Sequence, residues 1–123
     1  MEKIYTPNAP DAIGPYTQAI KAGGFVFTSG QIAINPASGA VEAQTIEEQT
    51  EQVCKNLTAV LEAAGTSIEK AVKTVCFLSD MADFAAFNAV YGKYFVSKPA
   101  RSCVAAKQLP KNVLCEVEVI AEL

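Results

Sequence analysis

Two segments of the chain place their apolar residues at the spacing of an α-helix. The first, TIEEQTEQVCKNLTAVLEAAG, opens at Thr45 with Glu48 three positions later, which is the pattern of a capping box, and ends at Gly65. Its apolar residues fall on one stripe, formed by Ile46, Val53, Cys54, Leu57, Val60, Leu61 and Ala64. The pattern predicts an amphipathic helix that lies on an apolar surface.

The second helical segment, MADFAAFNAVYGKYF, carries an aromatic stripe. Phe84, Phe87, Tyr91 and Tyr94 recur at spacings of three and four residues. Exposed aromatic faces are rare in soluble proteins, so the stripe indicates a helix face packed into the core and not a cofactor pocket.

Strand patterns occupy most of the remaining chain. The strongest are GFVFTSG (24–30), VKTVCFLS (72–79), RSCVAA (101–106) and VLCEVEVIA (113–121), and weaker ones are KIYT (3–6) and QAIKA (18–22). Between Ile34 and Val41, the residues NPASGA are typical of a turn or loop. The predicted element order is therefore β-β-β-α-β-α-β-β.

This order predicts one α+β domain over residues 1–123, in which a mixed sheet carries two helices on one face. The four consecutive apolar residues from Val75 to Leu78 indicate a strand that is buried on both faces. Two helices cannot cover both faces of a sheet, so something else has to cover the second. The simplest candidate is another copy of the same sheet, and we expect a homo-oligomer.

Charge and composition narrow the range of functions. Half of the 123 residues are hydrophobic, 19% are charged and the net charge is −3, so the chain has no basic surface for nucleic acid or an anionic membrane. The first residues, MEKIYTPNAP, lack an apolar run, and no stretch is long enough to span a bilayer. We expect a cytoplasmic protein with neither nucleic acid nor membrane as a partner.

The cysteine pattern and the absence of histidine restrict the possible chemistry. Cys54, Cys76, Cys103 and Cys115 include no close pair of the kind found in zinc or dithiol sites, and are most simply reduced thiols. Without histidine there is no Ser-His or Cys-His nucleophile and no imidazole metal ligand. Any reaction has to use Arg, Glu, Asp, Tyr, Ser, Cys, Lys or backbone groups, and no metal site is expected.

The last two predicted strands contain charged residues at unusual positions. Arg101, the chain's single arginine, shares a strand face with Cys103, and its planar guanidinium could bind a small carboxylate through two parallel hydrogen bonds. Glu116 and Glu118 share a face with Leu114 and Ile120, where an unpaired buried carboxylate would be costly. The alternatives are an ion pair of Arg101 with either glutamate, and a solvated or salt-bridged strand face for the glutamates.

Five motifs in a fixed order make the chain resemble a known family. GPYTQAI (14–20), TSGQI (28–32), FNAVY (87–91), PARSCV (99–104) and LPKNVLCEVEVIA (109–121) are similar to those of the RidA family of reactive-intermediate deaminases, also called YjgF. The resemblance implies a chorismate-mutase-like α+β fold that assembles as a homotrimer, with three clefts between subunits. It implies hydrolysis of 2-imino acids and enamines, such as 2-iminopropanoate and 2-iminobutanoate, to 2-keto acids and ammonia without a cofactor.

The resemblance also implies roles for individual residues. Arg101 of PARS would bind the substrate carboxylate, and Glu116, the first glutamate of the final strand, would orient or activate the hydrolytic water. Further residues implied to line the cleft are Tyr16, Ser29, Gly30, Asn88 and Cys103, the last mainly through its backbone. An iminium carbon is already electrophilic, so water can add to it without a metal or a covalent nucleophile. One departure is the short link FVSKP (95–99), where Lys98 replaces an aromatic residue often found before the proline.

Other interpretations remain for these residues and for the whole protein. Cys103 could be a small structural residue or a redox-regulated thiol, Tyr16 a packed loop aromatic, and Gly30 a turn requirement. Asn88 has neighbours at helical spacing that favour a buried hydrogen-bonding role. As a whole, the protein could instead be a non-catalytic trimer that binds keto or imino acids as a regulator. It could also be an endoribonuclease or translation inhibitor, activities attributed to some family members, although the acidic composition argues against this.

Overall fold

The computed structural model describes residues 1–123 and contains a six-stranded sheet with two α-helices on one face. The helices are α1 (Ile46–Ala63) and α2 (Phe84–Tyr94). The strands of the sheet are β1 (Glu2–Ile4), β2 (Ala19–Ala22), β3 (Phe25–Thr28), β6 (Ala71–Leu78), β7 (Ala100–Ala105) and β8 (Cys115–Glu122). A separate hairpin consists of β4 (Ile34–Asn35) and β5 (Ala40–Val41). Short 3-10 helices span Ile68–Lys70, Met81–Asp83 and Pro110–Asn112.

The strands of the sheet lie in the order β1-β2-β3-β8-β6-β7. All neighbours are antiparallel except β6 and β7, which are parallel because α2 connects them as a crossover. The predicted mixed α+β fold and the predicted element order of the sheet are therefore confirmed, including the two weakly indicated strands. The last strand begins at Cys115, two residues after the predicted start, because the segment before it turns through positive φ at Lys111 and Asn112.

The segment NPASGA forms the predicted turn, but it also belongs to the β4–β5 hairpin, which the sequence pattern did not predict. Asn35 Oδ1 accepts a hydrogen bond of 2.9 Å from the Ala37 amide, and Gly39 takes a φ of +73° that few other residues adopt. Strands of two residues are too short to show any alternation, so the sequence gives no signal for them.

Both ends of α1 are capped as the sequence predicts. At its start, Thr45 Oγ1 accepts a hydrogen bond from the Glu48 amide and donates one of 3.0 Å to the Glu48 carboxylate. At its end, Gly65 has a φ of +88°, and the amide of Thr66 reaches the carbonyl of Leu61, which is a Schellman motif. The apolar stripe of α1 is buried against the sheet. No helix of the protein has the length and apolar character needed to cross a membrane.

The aromatic stripe of α2 enters the same core. Tyr91 stacks between Phe87 and Phe95, with ring centroids 5.5 and 4.3 Å apart, and all three side chains are buried. Phe84 and Tyr94 are only half-buried at the edges of this stack. The prediction that the stripe packs into the core is confirmed for its central members.

The two faces of the sheet differ in what covers them. On the helix-covered face, Cys76, Leu78 and Val117 are fully buried. On the other face, which we call the open face, Val75 and Phe77 are only half-buried. The open face is formed by Phe25, Phe27, Lys73, Val75, Phe77, Ser102, Val104, Glu116, Glu118 and Ile120. The expectation that β6 is buried on both faces is thus wrong for a single chain, because this chain has no element that covers the open face.

A buried asparagine joins α1 to the segment that follows β3. The Asn56 side chain is 1% exposed, and its Nδ2 donates hydrogen bonds of 3.1 and 2.9 Å to the carbonyls of Ile32 and Ile34. Its Oδ1 accepts a hydrogen bond from Gln52. Both donors of the amide are therefore used to hold the segment 32–34.

Replacing Asn56 with alanine is expected to lower the free energy of unfolding by about 2–4 kcal/mol, because two buried carbonyls lose their donor. Urea denaturation followed by circular dichroism measures this change. Thr58→Ala on the same helix is the matched control, since the Thr58 hydroxyl bonds only to the carbonyl of Cys54 within α1. A loss in Asn56→Ala no larger than that of the control would contradict the prediction.

Candidate functional site

Glu116 lies on the open face of β8, against the backbone of Gly30. A methyl group on Gly30 would lie 2.9 Å from Cδ and 3.1 Å from Cγ of Glu116, so the Glu116 side chain would have to shift. The φ of Gly30 is not in the left-handed region, so the glycine leaves space for Glu116 and is not required by a turn. Burial of the Glu116 carboxylate, with a smaller contribution from the charge of Glu118, raises the pKa of Glu116 above its usual value.

Tyr16 and Ser29 line the same cavity, which has a volume of about 400 Å³. The Ser29 hydroxyl donates a hydrogen bond of 2.5 Å to the carbonyl of Thr17, so its lone pairs can still accept. The Tyr16 hydroxyl accepts a hydrogen bond of 3.1 Å from the Ile13 amide and keeps its own proton free to donate. This cavity, which we call the Glu116 cavity, offers both donors and acceptors to a small polar ligand.

Arg101 lies on the other side of the sheet. Its partner across β6 is the buried Thr74, and its guanidinium reaches toward α2, where Nη1 donates a hydrogen bond of 2.8 Å to Asn88 Oδ1. A cavity of about 440 Å³, which we call the Arg101 cavity, is lined by these two residues together with Tyr91 and Lys98. No carboxylate lines this cavity, so it is a cationic site. The predicted hydrogen-bonding role of Asn88 is observed as the acceptor for Arg101.

Cys103 is next to Arg101 on the same face of β7, as the alternation predicts, and pairs with Cys76 on β6. Burial raises the pKa of the Cys103 thiol, and the positive charge of Arg101 offsets this only in part. The thiol is therefore protonated at neutral pH and a weak nucleophile. This favours the structural interpretation of Cys103 over the redox one.

The seven predicted site residues therefore form two groups that a single chain does not bring together. Tyr16, Ser29, Gly30 and Glu116 surround the Glu116 cavity, whereas Asn88, Arg101 and Cys103 lie on or under the helix-covered face. Within one chain, the alternative of an ion pair of Arg101 with Glu116 or Glu118 is wrong, because the partners are on opposite faces of the sheet. The structure contains one ion pair, Lys21–Glu2, with 4.0 Å between the charged atoms.

Two residues beside Arg101 were not assigned to the site from the sequence. The rings of Phe84 and Tyr91 lie under the guanidinium, with centroids 5.4 and 4.9 Å from Cζ. A signal was present, because the two aromatics stand four residues before and three residues after Asn88, which places all three on one face of the helix. The stripe therefore has a second role besides filling the core, because Phe84 and Tyr91 also contact the Arg101 guanidinium.

The link before Arg101 is tightly turned. Lys98 has a φ of +53°, and its amide donates a hydrogen bond of 3.1 Å to the carbonyl of Phe95. Its exposed side chain lines the Arg101 cavity where an aromatic residue was expected by resemblance. Lys98 therefore adds a second cation to the Arg101 cavity. No group of three or more Cys, Asp or Glu side chains is arranged to hold a metal ion.

Comparisons with known proteins agree with the motifs. The family model described as Endoribonuclease L-PSP matches residues 6–123. A RutC family protein of Pyrococcus horikoshii is 53% identical over 121 residues, covering 98% of this chain and 96% of that protein. Reactive Intermediate Deaminase A, chloroplastic, of Arabidopsis thaliana is 45% identical over 123 residues, covering 99% of this chain and 66% of that protein.

Solved structures show the same fold. The crystal structure of E. coli TdcF with bound serine superposes with a TM-score of 0.94 at 40% sequence identity, covering 100% of this chain and 99% of that one. The family match covers nearly the whole chain, and the relatives share close to half of its residues. This chain therefore belongs to the Endoribonuclease L-PSP family, whose members also carry the names YjgF, RidA and RutC.

Proposed function

We propose that this protein hydrolyses small 2-imino acids, such as 2-iminopropanoate and 2-iminobutanoate, to 2-keto acids and ammonia. The observation that carries the proposal is the pair of complementary half-sites: a guanidinium with free N–H groups in one cavity, and a carboxylate of raised pKa in the other. The first suits the substrate carboxylate, and the second suits a water that has to lose a proton.

The reaction needs few chemical groups. Arg101 holds the carboxylate of the substrate, and Glu116 accepts a proton from water as the water oxygen bonds to the imine carbon. Glu116 then returns this proton to the carbinolamine nitrogen. The C–N bond breaks as the Glu116 carboxylate takes up the proton of the hydroxyl group, so that the nitrogen leaves as ammonia and the carbon retains the oxygen as a ketone. A carboxyl group with a raised pKa is suited to return the proton it accepted.

The proposal requires a second copy of the chain, because Arg101 and Glu116 lie on opposite faces of one sheet. We propose a homotrimer in which the open faces pack together and each cleft combines the Arg101 cavity of one chain with the Glu116 cavity of its neighbour. Exposed apolar side chains support this, since Phe27 is 43% and Val104 is 49% exposed on the open face. Light scattering should give about three times the chain mass of 13.0 kDa, and a mass of one chain at micromolar concentration contradicts it.

The names of similar proteins point to several activities. They include an endoribonuclease, a regulator and a reactive-intermediate deaminase. The serine bound in E. coli TdcF supports a ligand that carries an α-carboxylate beside a nitrogen-bearing carbon, as a 2-imino acid does. The net charge of −3 and the absence of histidine do not favour an RNA substrate.

The deciding experiment adds the protein to a threonine dehydratase reaction and follows the formation of 2-oxobutanoate. Acceleration over spontaneous hydrolysis, lost in Arg101→Ala, is the expected result. A folded protein that binds 2-oxobutanoate but gives no acceleration would be a regulatory binding module. Cleavage of RNA by the same preparation, without imine hydrolysis, would favour the endoribonuclease function.

Gly30→Ala tests whether the position of Glu116 matters. The added methyl group has to displace the Glu116 carboxylate, which is the flexible end of a side chain, so the fold is expected to persist. A displacement of about 1 Å is expected to lower kcat/KM roughly 10²-fold. Steady-state kinetics measure this, and thermal unfolding checks the fold. Full activity of Gly30→Ala would show that the contact is unimportant.

A further inference from the structure

The guanidinium of Arg101 is held mainly by α2 and not by charged partners. Its Cζ lies 4.9 Å from the Tyr91 ring centroid and 5.4 Å from the Phe84 ring centroid. Between these two residues on the helix, Asn88 accepts the guanidinium's one hydrogen bond to the protein. Four of its five N–H groups are therefore free for a ligand.

One of the two rings is fixed from behind. The Tyr91 hydroxyl lies 2.7 Å from the Thr74 hydroxyl, and both residues are buried. Thr74 stands directly opposite Arg101 in the pairing of β6 and β7. Stacking of Tyr91 against Phe87 and Phe95 adds a second restraint. The ring beside Arg101 therefore has little freedom to move.

We infer that Phe84 and Tyr91 are positioning residues, which hold the Arg101 guanidinium in the orientation that offers its free N–H groups to a carboxylate. The inference rests on the proposed function, because it concerns the residue that would bind the substrate there. A guanidinium is attracted to the face of an aromatic ring, and a free arginine side chain samples many rotamers. Fixing it before the ligand arrives reduces the entropy lost on binding.

The alternative is that both rings serve only to fill the core. Phe84 and Val90 distinguish these roles, because both lie on α2 but only Phe84 lies under the Arg101 guanidinium. Val90 faces α1 beside Glu47 and Glu51. Val90 is buried, so Val90→Ala should lower stability about as much as the loss of the half-buried Phe84 ring. An effect on ligand binding that appears only for Phe84 cannot come from stability.

The kinetic experiment compares Phe84→Leu with the control Val90→Ala. Loss of one cation–π contact is expected to raise KM about 3- to 30-fold in Phe84→Leu, with kcat nearly unchanged. Val90→Ala is expected to lower the melting temperature but leave KM unchanged. Equal changes of KM in both variants, or a fall of kcat alone in Phe84→Leu, would overturn the inference.

A second readout does not depend on catalysis. Arg101 is the only arginine of the chain, so its side-chain Nε–H group gives one unambiguous NMR signal. Restricted rotation of the guanidinium should give separate Nη signals in the wild type and in Val90→Ala, and averaged signals in Phe84→Leu. Averaged signals in the wild type would show that the rings do not fix the guanidinium.

Direct titration with 2-oxobutanoate separates the two proposals. If the wild type hydrolyses no imine, the proposed function fails, whereas a Kd for 2-oxobutanoate that rises only in Phe84→Leu still supports the positioning role. If hydrolysis occurs but Phe84→Leu binds and turns over like the wild type, the positioning role alone is wrong. Absence of any binding to the wild type contradicts both.

Discussion

Arg101→Ala is expected to reduce kcat/KM for 2-iminobutanoate about 10³-fold. Truncating one partner of a hydrogen-bonded charge pair costs about 2–5 kcal/mol, and every 1.4 kcal/mol is a factor of ten. In the absence of substrate, Arg101 has no carboxylate partner, so the variant leaves no uncompensated charge behind. Arg101→Lys should also impair turnover, because an ammonium group lacks the planar fork and does not reproduce the contact with Asn88.

The control for this prediction is Lys93→Ala, which removes an exposed positive charge from the last turn of α2, outside the Arg101 cavity. Its kinetics should match the wild type, which excludes a general effect of net charge. The melting temperatures of Arg101→Ala, Arg101→Lys and Lys93→Ala show whether each variant is folded at the temperature of the assay. Retained turnover in Arg101→Ala would refute its role as the carboxylate anchor.

Glu116→Gln is expected to lower kcat about 10²- to 10⁴-fold, which is the usual contribution of a general base. The amide keeps the size of the side chain and its place against Gly30, but it cannot accept a proton from water. Because the active form of Glu116 is the carboxylate and its pKa is raised, wild-type activity should decline as the pH falls toward that pKa. The midpoint of this decline should lie above the ordinary pKa of glutamate, and the pH profile of Glu116→Gln should show no such decline.

Glu118→Gln provides the matched control, since it removes the neighbouring charge that helps to raise the pKa of Glu116. The midpoint of the pH profile should move to lower pH, and turnover near neutral pH should fall far less than in Glu116→Gln. An unchanged midpoint would mean that burial alone sets the pKa.

Stability should change in the opposite direction to activity in Glu116→Gln. A raised pKa means that the folded state favours the neutral form of Glu116, so this contribution to stability is present at low pH and is lost as the pH rises through the folded-state pKa. At neutral pH, Glu116→Gln should therefore unfold at the same or a higher temperature than the wild type, and the difference should vanish in acid. A lower melting temperature would indicate that the carboxylate makes a favourable contact instead.

The parts of the fold that local sequence determines were predictable. Caps at Thr45 and Gly65 bound α1, and the spacing of Phe87 and Tyr91 places them in the core. Alternation also correctly predicts that Arg101 and Cys103 lie on one face of β7, and that Ser102 and Val104 lie on the other. These features depend on residues within one turn or one strand, which is why a single sequence is enough to show them.

The relation between strands was not predictable in the same way. Alternation tells which residues of one strand share a face, but only the pairing of distant strands tells whether two such sets face the same side of the sheet. Arg101 and Glu116 each follow the expected pattern within their strands, yet β6 lies between them and they point to opposite sides. An ion pair between them within one chain is excluded for this reason. Asn56 was missed because a polar residue at the edge of an apolar stripe shows no sign of its partners.

The placement of Arg101 and Glu116 on opposite faces has a genetic consequence. If each cleft takes one residue from each of two chains, then Arg101→Ala and Glu116→Gln are defects that can complement each other. Mixed assemblies made by co-expressing the two inactive chains would contain some clefts with both natural residues, about a quarter of all clefts for random mixing in a cyclic trimer. Two alleles that each encode an inactive chain would then give partial activity when they are expressed in the same cell, whereas either allele alone would give none.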